Sequence, residues 1–184
     1  MVGPVEESSL PDHLETHLGT IGRGFSCDGL TVAEFPTPPT LSGCRAYSTL
    51  GMSHHGLTSR VNDRPVQLEF VMLGRTEQCP GPIPSVLCDV SEETIASHNA
   101  VLRGDVIGPR GPIATGSEME ALYATNPVYL PDAFASVGTV AIVWLVPISR
   151  AEANLVFDRG WDVFESVLVR EDPDLTNLHR SSVA

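Results

Sequence analysis

The chain has 184 residues, 42% of them hydrophobic, and a mean hydropathy of +0.05, which suits one well-buried core and is too short for two domains of ordinary size. Its formal charge is −12, and all 11 basic residues are arginine. Such acidity repels phosphate backbones and anionic lipid heads, so nucleic acid and membrane surfaces are poor partners and a basic protein is a good one.

The start, MVGPVEESSLPDHLE, carries acids where a secretory signal needs a basic end and an apolar run, so a cytoplasmic protein is expected. Leu10, Leu14 and Leu18 recur at helical spacing and Gly19 follows as a stop, predicting a short helix over about residues 11–18. His13 and His17 lie four apart on it and could chelate a metal with Asp12 or Glu15, but a solvated polar face is the simpler reading. GTIGRG, residues 19–24, follows a helix instead of a strand and reads as a turn, not a dinucleotide loop.

LTVAEFP (30–36), RAYSTLGMS (45–53) and VQLEFVML (66–73) alternate with period two. The last two are predicted to be antiparallel neighbours joined by the polar loop HHGLTSRVNDRP (54–65). Within GMSHHG (51–56), Ser53 beside His54 and His55 nearly matches the G-x-S-x-G of a serine hydrolase. The motif is one residue too long, and the helix that a nucleophile elbow requires is replaced by turn residues and another strand. Adjacent histidines on an extended segment also point to opposite faces, which disfavours a shared metal. Gly51, Met52 and Ser53 are therefore expected to end a core strand, with His54, His55 and Arg60 on an exposed loop available to a partner. A small hydrolase or metal-dependent enzyme built on Ser53, His54 and His55 is the alternative.

Residues 83–102 carry an imperfect helical stripe, and RGDVIGP (103–109) reads as a turn and a very short strand. SEMEALYATNPVYLP (117–131) suits a strand, although Ser117 and Glu120 could form a capping box. The apolar run 137–148 falls well short of the ~20 residues that span a bilayer as a helix. Its core, Val140 to Leu145, is predicted to be a central strand buried on both faces. Ser149 and Glu152 then cap a helix that stops at Gly160, and a second helix begins at Trp161 with Phe164, Val167 and Leu168 on one face. Glu92, Glu93, Glu165 and Glu171 read as surface charges, and an ion pair between Asp174 and Arg180 could pin the tail. Cys27, Cys44, Cys79 and Cys88 contain no C-x-x-C pair and are expected as free thiols. No cofactor is expected.

TLGMS (49–53), QLEFVML (67–73), RGDVI (103–107), VWLVPISRAEANLVFDRGWDVFE (143–165) and DPDLTNLHR (172–180), in this order and spacing, resemble the suppressor-of-fused domain, in particular its compact bacterial members. The resemblance runs from about residue 30 onward. It implies an α+β fold with a mixed, largely antiparallel sheet flanked by helices, one domain over 1–184 with 1–9 and 181–184 flexible. The eukaryotic relatives are non-enzymatic regulators that sequester Gli-type zinc-finger factors, holding a partner peptide between two domains. That clamp is not expected here, and no partner-binding residue carries over. For bacterial single-domain relatives the resemblance implies a non-catalytic binding module, an immunity or sequestration protein whose partner would be a basic toxin domain.

Overall fold

The computed structural model describes residues 9–184. Residues 1–8 of the N-terminal segment expected to be flexible lie outside the described residues. Helix α1 spans Leu10–Leu18 and is capped by Ser9, whose side chain accepts from the Asp12 amide. Strands β1 (Gly24–Cys27), β2 (Leu30–Phe35), β3 (Cys44–Leu50), β4 (Leu57–Thr58) and β5 (Pro65–Arg75) follow, then helix α2 (Ile83–Ser97). The remainder is β6 (Val106–Ile107), β7 (Met119–Thr125), β8 (Ser136–Val137), β9 (Val140–Ser149), α3 (Arg150–Arg159) and α4 (Trp161–Glu171).

The sheet order is β1-β2-β3-β5-β9-β7-β6, with β4 on β5 and β8 on β9. Every described pairing of named strands is antiparallel except β5 with β9, so the expected mixed, largely antiparallel α+β architecture is what forms. The parallel pair arises because the chain between β5 and β9 crosses one face through α2 and returns by β6 and β7. Alternation in β5 and β9 serves two cores. Val71, Leu73, Trp144, Val146 and Ile148 join α1, α3 and α4 in one cluster, whereas Leu68, Phe70, Met72, Val143 and Leu145 join α2 in the other. Burying each such side chain contributes roughly 1.5–3 kcal/mol, so the central strands hold both layers together.

Several local expectations meet tertiary corrections. Strand β1 was not anticipated; it pairs β2 around Asp28-Gly29, where Gly29 adopts φ +78° as a tight hairpin allows. Helix α2 ends at Ser97, short of residue 102, because His98 turns left-handed (φ 56°). The His98 carbonyl and the Ala100 amide then clasp Thr58 of β4. The strand β3 stops at Leu50, and Met52–His54 form a 3-10 turn in place of the expected strand end.

Cys27 and Cys88 are joined in a disulfide, correcting the reading of four free thiols; Cys44 and Cys79 are free. The β1–β2 hairpin folds over α2, which brings together residues 61 positions apart. Asp174 and Arg180 do not pair with each other. Asp174 binds Arg75 at 2.7 Å, and Arg180 turns inward to Glu152. The last residues are tied in, with the Val183 amide donating to Glu152 Oε1 (3.0 Å) and the Ser182 and Ser149 hydroxyls 2.7 Å apart.

Candidate functional site

The 51–65 loop is organised from beneath by Glu69 of β5. Gly51 adopts φ 112°, which starts the 3-10 turn and aims successive backbone amides at one point. The buried Glu69 carboxylate accepts from the amides of Gly51 (3.1 Å), Met52 (3.3 Å) and Ser53 (3.0 Å). It also accepts from the hydroxyls of Ser53 (2.7 Å) and Thr49 (2.6 Å). The β3–β5 ladder ends at Ser48↔Val71, and Thr49 Oγ1 takes the next Phe70 amide (2.8 Å) in its stead. Ser53 is thus a buried donor to a carboxylate. Its hydroxyl hydrogen-bonds Glu69, not an imidazole, and the nucleophile–base contact on which a serine hydrolase relies is not formed among the described residues.

His54 is exposed and His55 half-buried, and with Gln67 and Thr139 they line an open recess of about 590 Å³ at the ends of β5 and β9. Arg60 lies elsewhere. Its Nη2 is 3.1 Å from Asp105 Oδ1, and it lines a groove between α2 and β6 with Glu93 and Arg110. The groove continues past Asp89, Ile113 and Glu120; its two parts measure about 280 and 220 Å³ and share Val90, Ile107 and Arg110. The structure therefore separates His54 and His55 from Arg60. Val61, next to Arg60 in the chain, is 87% exposed.

The groove's charges are paired but loosely held. Arg110 contacts Glu93 at 2.5 Å and Arg150 contacts Glu120 at 2.8 Å, each with a half-exposed arginine. Exposed pairs contribute ~0–1 kcal/mol, so a partner's charges can replace them at little loss. Strand β6 ends the sheet, and no described strand pairs its second edge.

The other carboxylates that might carry chemistry are committed to structure. Burial alone would raise the pKa of Glu34, but donors from Arg23, Tyr47 and Arg45 outweigh it and hold the acid below its ordinary value. Burial chiefly, and Glu34 in part, pushes Tyr47 up. Glu165, expected as a surface charge, is drawn inward and accepts from Tyr123 (2.8 Å) and Thr125 (3.0 Å). Arg103 also bonds it, and together these donors overcome its desolvation and lower its pKa. Arg103 lies 4.5 Å over the Trp161 ring. Gly104 (φ 95°) permits that ring to approach, since a Cβ there would sit 2.7 Å from Trp161 Cδ1. None of these acids was legible as special in the sequence, because their donors come from other elements.

His13 and His17 pack on Phe134, with ring centroids 5.9 and 5.6 Å away, and His13 Nε2 meets the Phe134 carbonyl at 3.2 Å. They form a half-buried seam, not the solvated face expected. Among the described residues no three His, Cys, Asp or Glu side chains are grouped to hold a metal ion, and no helix is long and apolar enough to cross a membrane.

No curated protein matches the sequence. The fold is similar to the crystal structure of a suppressor-of-fused homologue from Neisseria gonorrhoeae, with TM-score 0.76 and 15% identity over 94% of this chain and 93% of that one. It is also similar to a chain of the Sufu–Fu complex, with TM-score 0.68 and 16% identity over 95% and 90%. Drosophila Suppressor of Fused matches at TM-score 0.61 and 18% identity; 84% of this chain aligns with 43% of that protein. The family model described as suppressor of fused protein (SUFU) matches residues 26–181, which takes in the whole sheet except two residues of β1, the Glu69-anchored loop and the α2–β6 groove. The chain belongs to the suppressor of fused family.

Proposed function

We propose that this protein is a non-catalytic protein-binding module that sequesters or neutralises a basic protein partner, a toxin domain being the case its charge fits best. The observation that carries the reading is the α2–β6 groove, an open recess beside a sheet edge that no described strand pairs, with the exposed Arg110–Glu93 ion pair on its rim. Membership of a family whose solved structures include a Sufu–Fu complex supports it. The engagement of Ser53 by Glu69 favours it over a hydrolase on Ser53, His54 and His55. A net charge of −12 would steer a cationic partner toward the surface and speed encounter at low salt.

The compartment is a separate matter. The acidic N-terminal stretch suggested the cytoplasm, whereas a Cys27–Cys88 disulfide persists in oxidising surroundings. The test is co-expression with the basic protein captured from the native organism at low ionic strength. Rescue of growth from a toxic prey is expected, and Arg60→Glu combined with Glu93→Arg should abolish it. Capture of no partner at low salt, or rescue that survives the double charge reversal, would sink the reading.

A further inference from the structure

A further recess lies on the side of the sheet opposite the α2–β6 groove, against α4. It measures about 170 Å³ and is lined by Tyr129, Trp144, Leu168 and Leu175. Val128 and Val169 also line it, and they are 69% and 82% exposed. Only five large hydrophobic side chains among the described residues are exposed, and two of the three most exposed line this one pocket. Isolated exposed valines need no explanation; two bracketing an apolar recess mark a contact site.

Its walls are built to last. Tyr129 donates its hydroxyl to the Pro173 carbonyl (3.2 Å) and receives the Leu175 amide (3.4 Å), which fixes the segment after α4 as one wall. The Tyr129 and Trp144 rings lie 5.0 Å apart. Trp144 is fully buried, yet its Nε1–H has no acceptor among the described residues. A buried donor without a partner is destabilising, so the wall beneath the recess is not fully satisfied by the chain itself. Two carboxylates, Glu165 and Asp172, also line the recess.

From these features we infer that the recess receives an apolar side chain of a basic partner segment, whose flanking arginines or lysines meet the exposed Asp172, while Glu165 stays bonded to Arg103, Tyr123 and Thr125. Charge complementarity selects this occupant: apolar walls take the anchor, the acids disfavour an acidic segment, and the chain as a whole carries −12. The inference rests on the protein-binding reading and adds to it a contact surface remote from the α2–β6 groove.

The test uses the full chain carrying Trp161→Phe, which leaves Trp144 as its only tryptophan. Three heptapeptides are titrated while Trp144 fluorescence is followed: a central leucine flanked by three arginines on each side, the same peptide with central alanine, and the leucine peptide with glutamates. The arginine–leucine peptide is expected to shift the emission and bind about tenfold or more tighter than either control. Val128→Ser with Val169→Ser, both at exposed positions, should weaken it by about tenfold while leaving the melting temperature unchanged. Equal binding of the leucine and alanine peptides, or undiminished binding to the double variant, overturns the recess assignment. Neither result touches the protein-binding reading, which stands or falls on the rescue experiment with the groove variants.

Discussion

Arg180 meets Glu152 with both terminal nitrogens, 2.7 Å from each carboxylate oxygen, where the two side chains are 4% and 0% exposed. Glu152 is also the capping-box acid of α3, accepting the Ser149 amide at 2.8 Å, and Arg180 Nη2 donates to the Pro147 carbonyl at 3.0 Å. One ion pair therefore ties the C-terminal segment to the β9–α3 junction. Removing one partner strands the other charge in the interior, so Arg180→Ala is expected to cost about 3–5 kcal/mol. Urea unfolding checks this, and a loss below ~1 kcal/mol would show that the pair is exposed in solution.

Glu69 and Ser53 separate a structural role from a catalytic one. Glu69→Ala leaves three backbone amides and two hydroxyls without their acceptor and is expected to cost roughly 3 kcal/mol or more. Ser53→Ala removes a single donor and should cost only about 1 kcal/mol. A serine-reactive probe should leave Ser53 unlabelled; stoichiometric labelling would revive the hydrolase alternative.

The Cys27–Cys88 bond closes a long loop, so its loss is expected to destabilise the fold by about 2–4 kcal/mol. A reducing phosphine should lower the melting temperature of the native protein and leave a Cys27→Ser/Cys88→Ser variant unmoved. Thiol titration of the unfolded, unreduced chain should find only Cys44 and Cys79. Four reactive thiols before reduction would contradict the bond.

Acid should weaken the protein in two ranges. Burial, and secondarily His13, lower the pKa of His17 from its ordinary 6.5, so the folded state favours the neutral ring. Stability is then complete above pH 6.5 and falls as the pH drops toward the folded value, loosening the α1 seam on Phe134. Glu34 and Glu165, held below 4.5, contribute stability that is present above that pH and lost as the pH falls through their folded values. Melting temperatures across pH should show both declines, and His17→Gln should remove the upper one. An upper decline that persists in His17→Gln would assign it to another group.

How far the sequence could be read depended on whether the controlling interactions were local. The alternation in VQLEFVML and the apolar run at Val140 gave β5 and β9, and S-x-x-E at Ser149 and Glu152 gave the start of α3, because strand pleat and helix capping are set within a few residues. Gly51 was visible as a break, but its function was not. The amides it turns inward are directed at Glu69, a side chain that reads as one more acid in an alternating strand.

Likewise Asp28-Gly29 was an available hairpin signal for β1, obscured because GFSC is short and only half-buried. His54, His55 and Arg60 looked like one loop surface, yet Thr58 between them is clasped by His98 and Ala100 just after α2, and they line two separate recesses. The Glu152–Arg180 pair, the Cys27–Cys88 bond and the recess over Trp144 join residues far apart in the chain. By itself the amino-acid order determined the family, the periodic elements and the acidic character, which follow from neighbouring residues and from charge summed over the chain. Only the tertiary structure decided which carboxylates are buried, which cysteines meet and where an open groove remains, because those outcomes depend on distances across the sheet that no local pattern encodes.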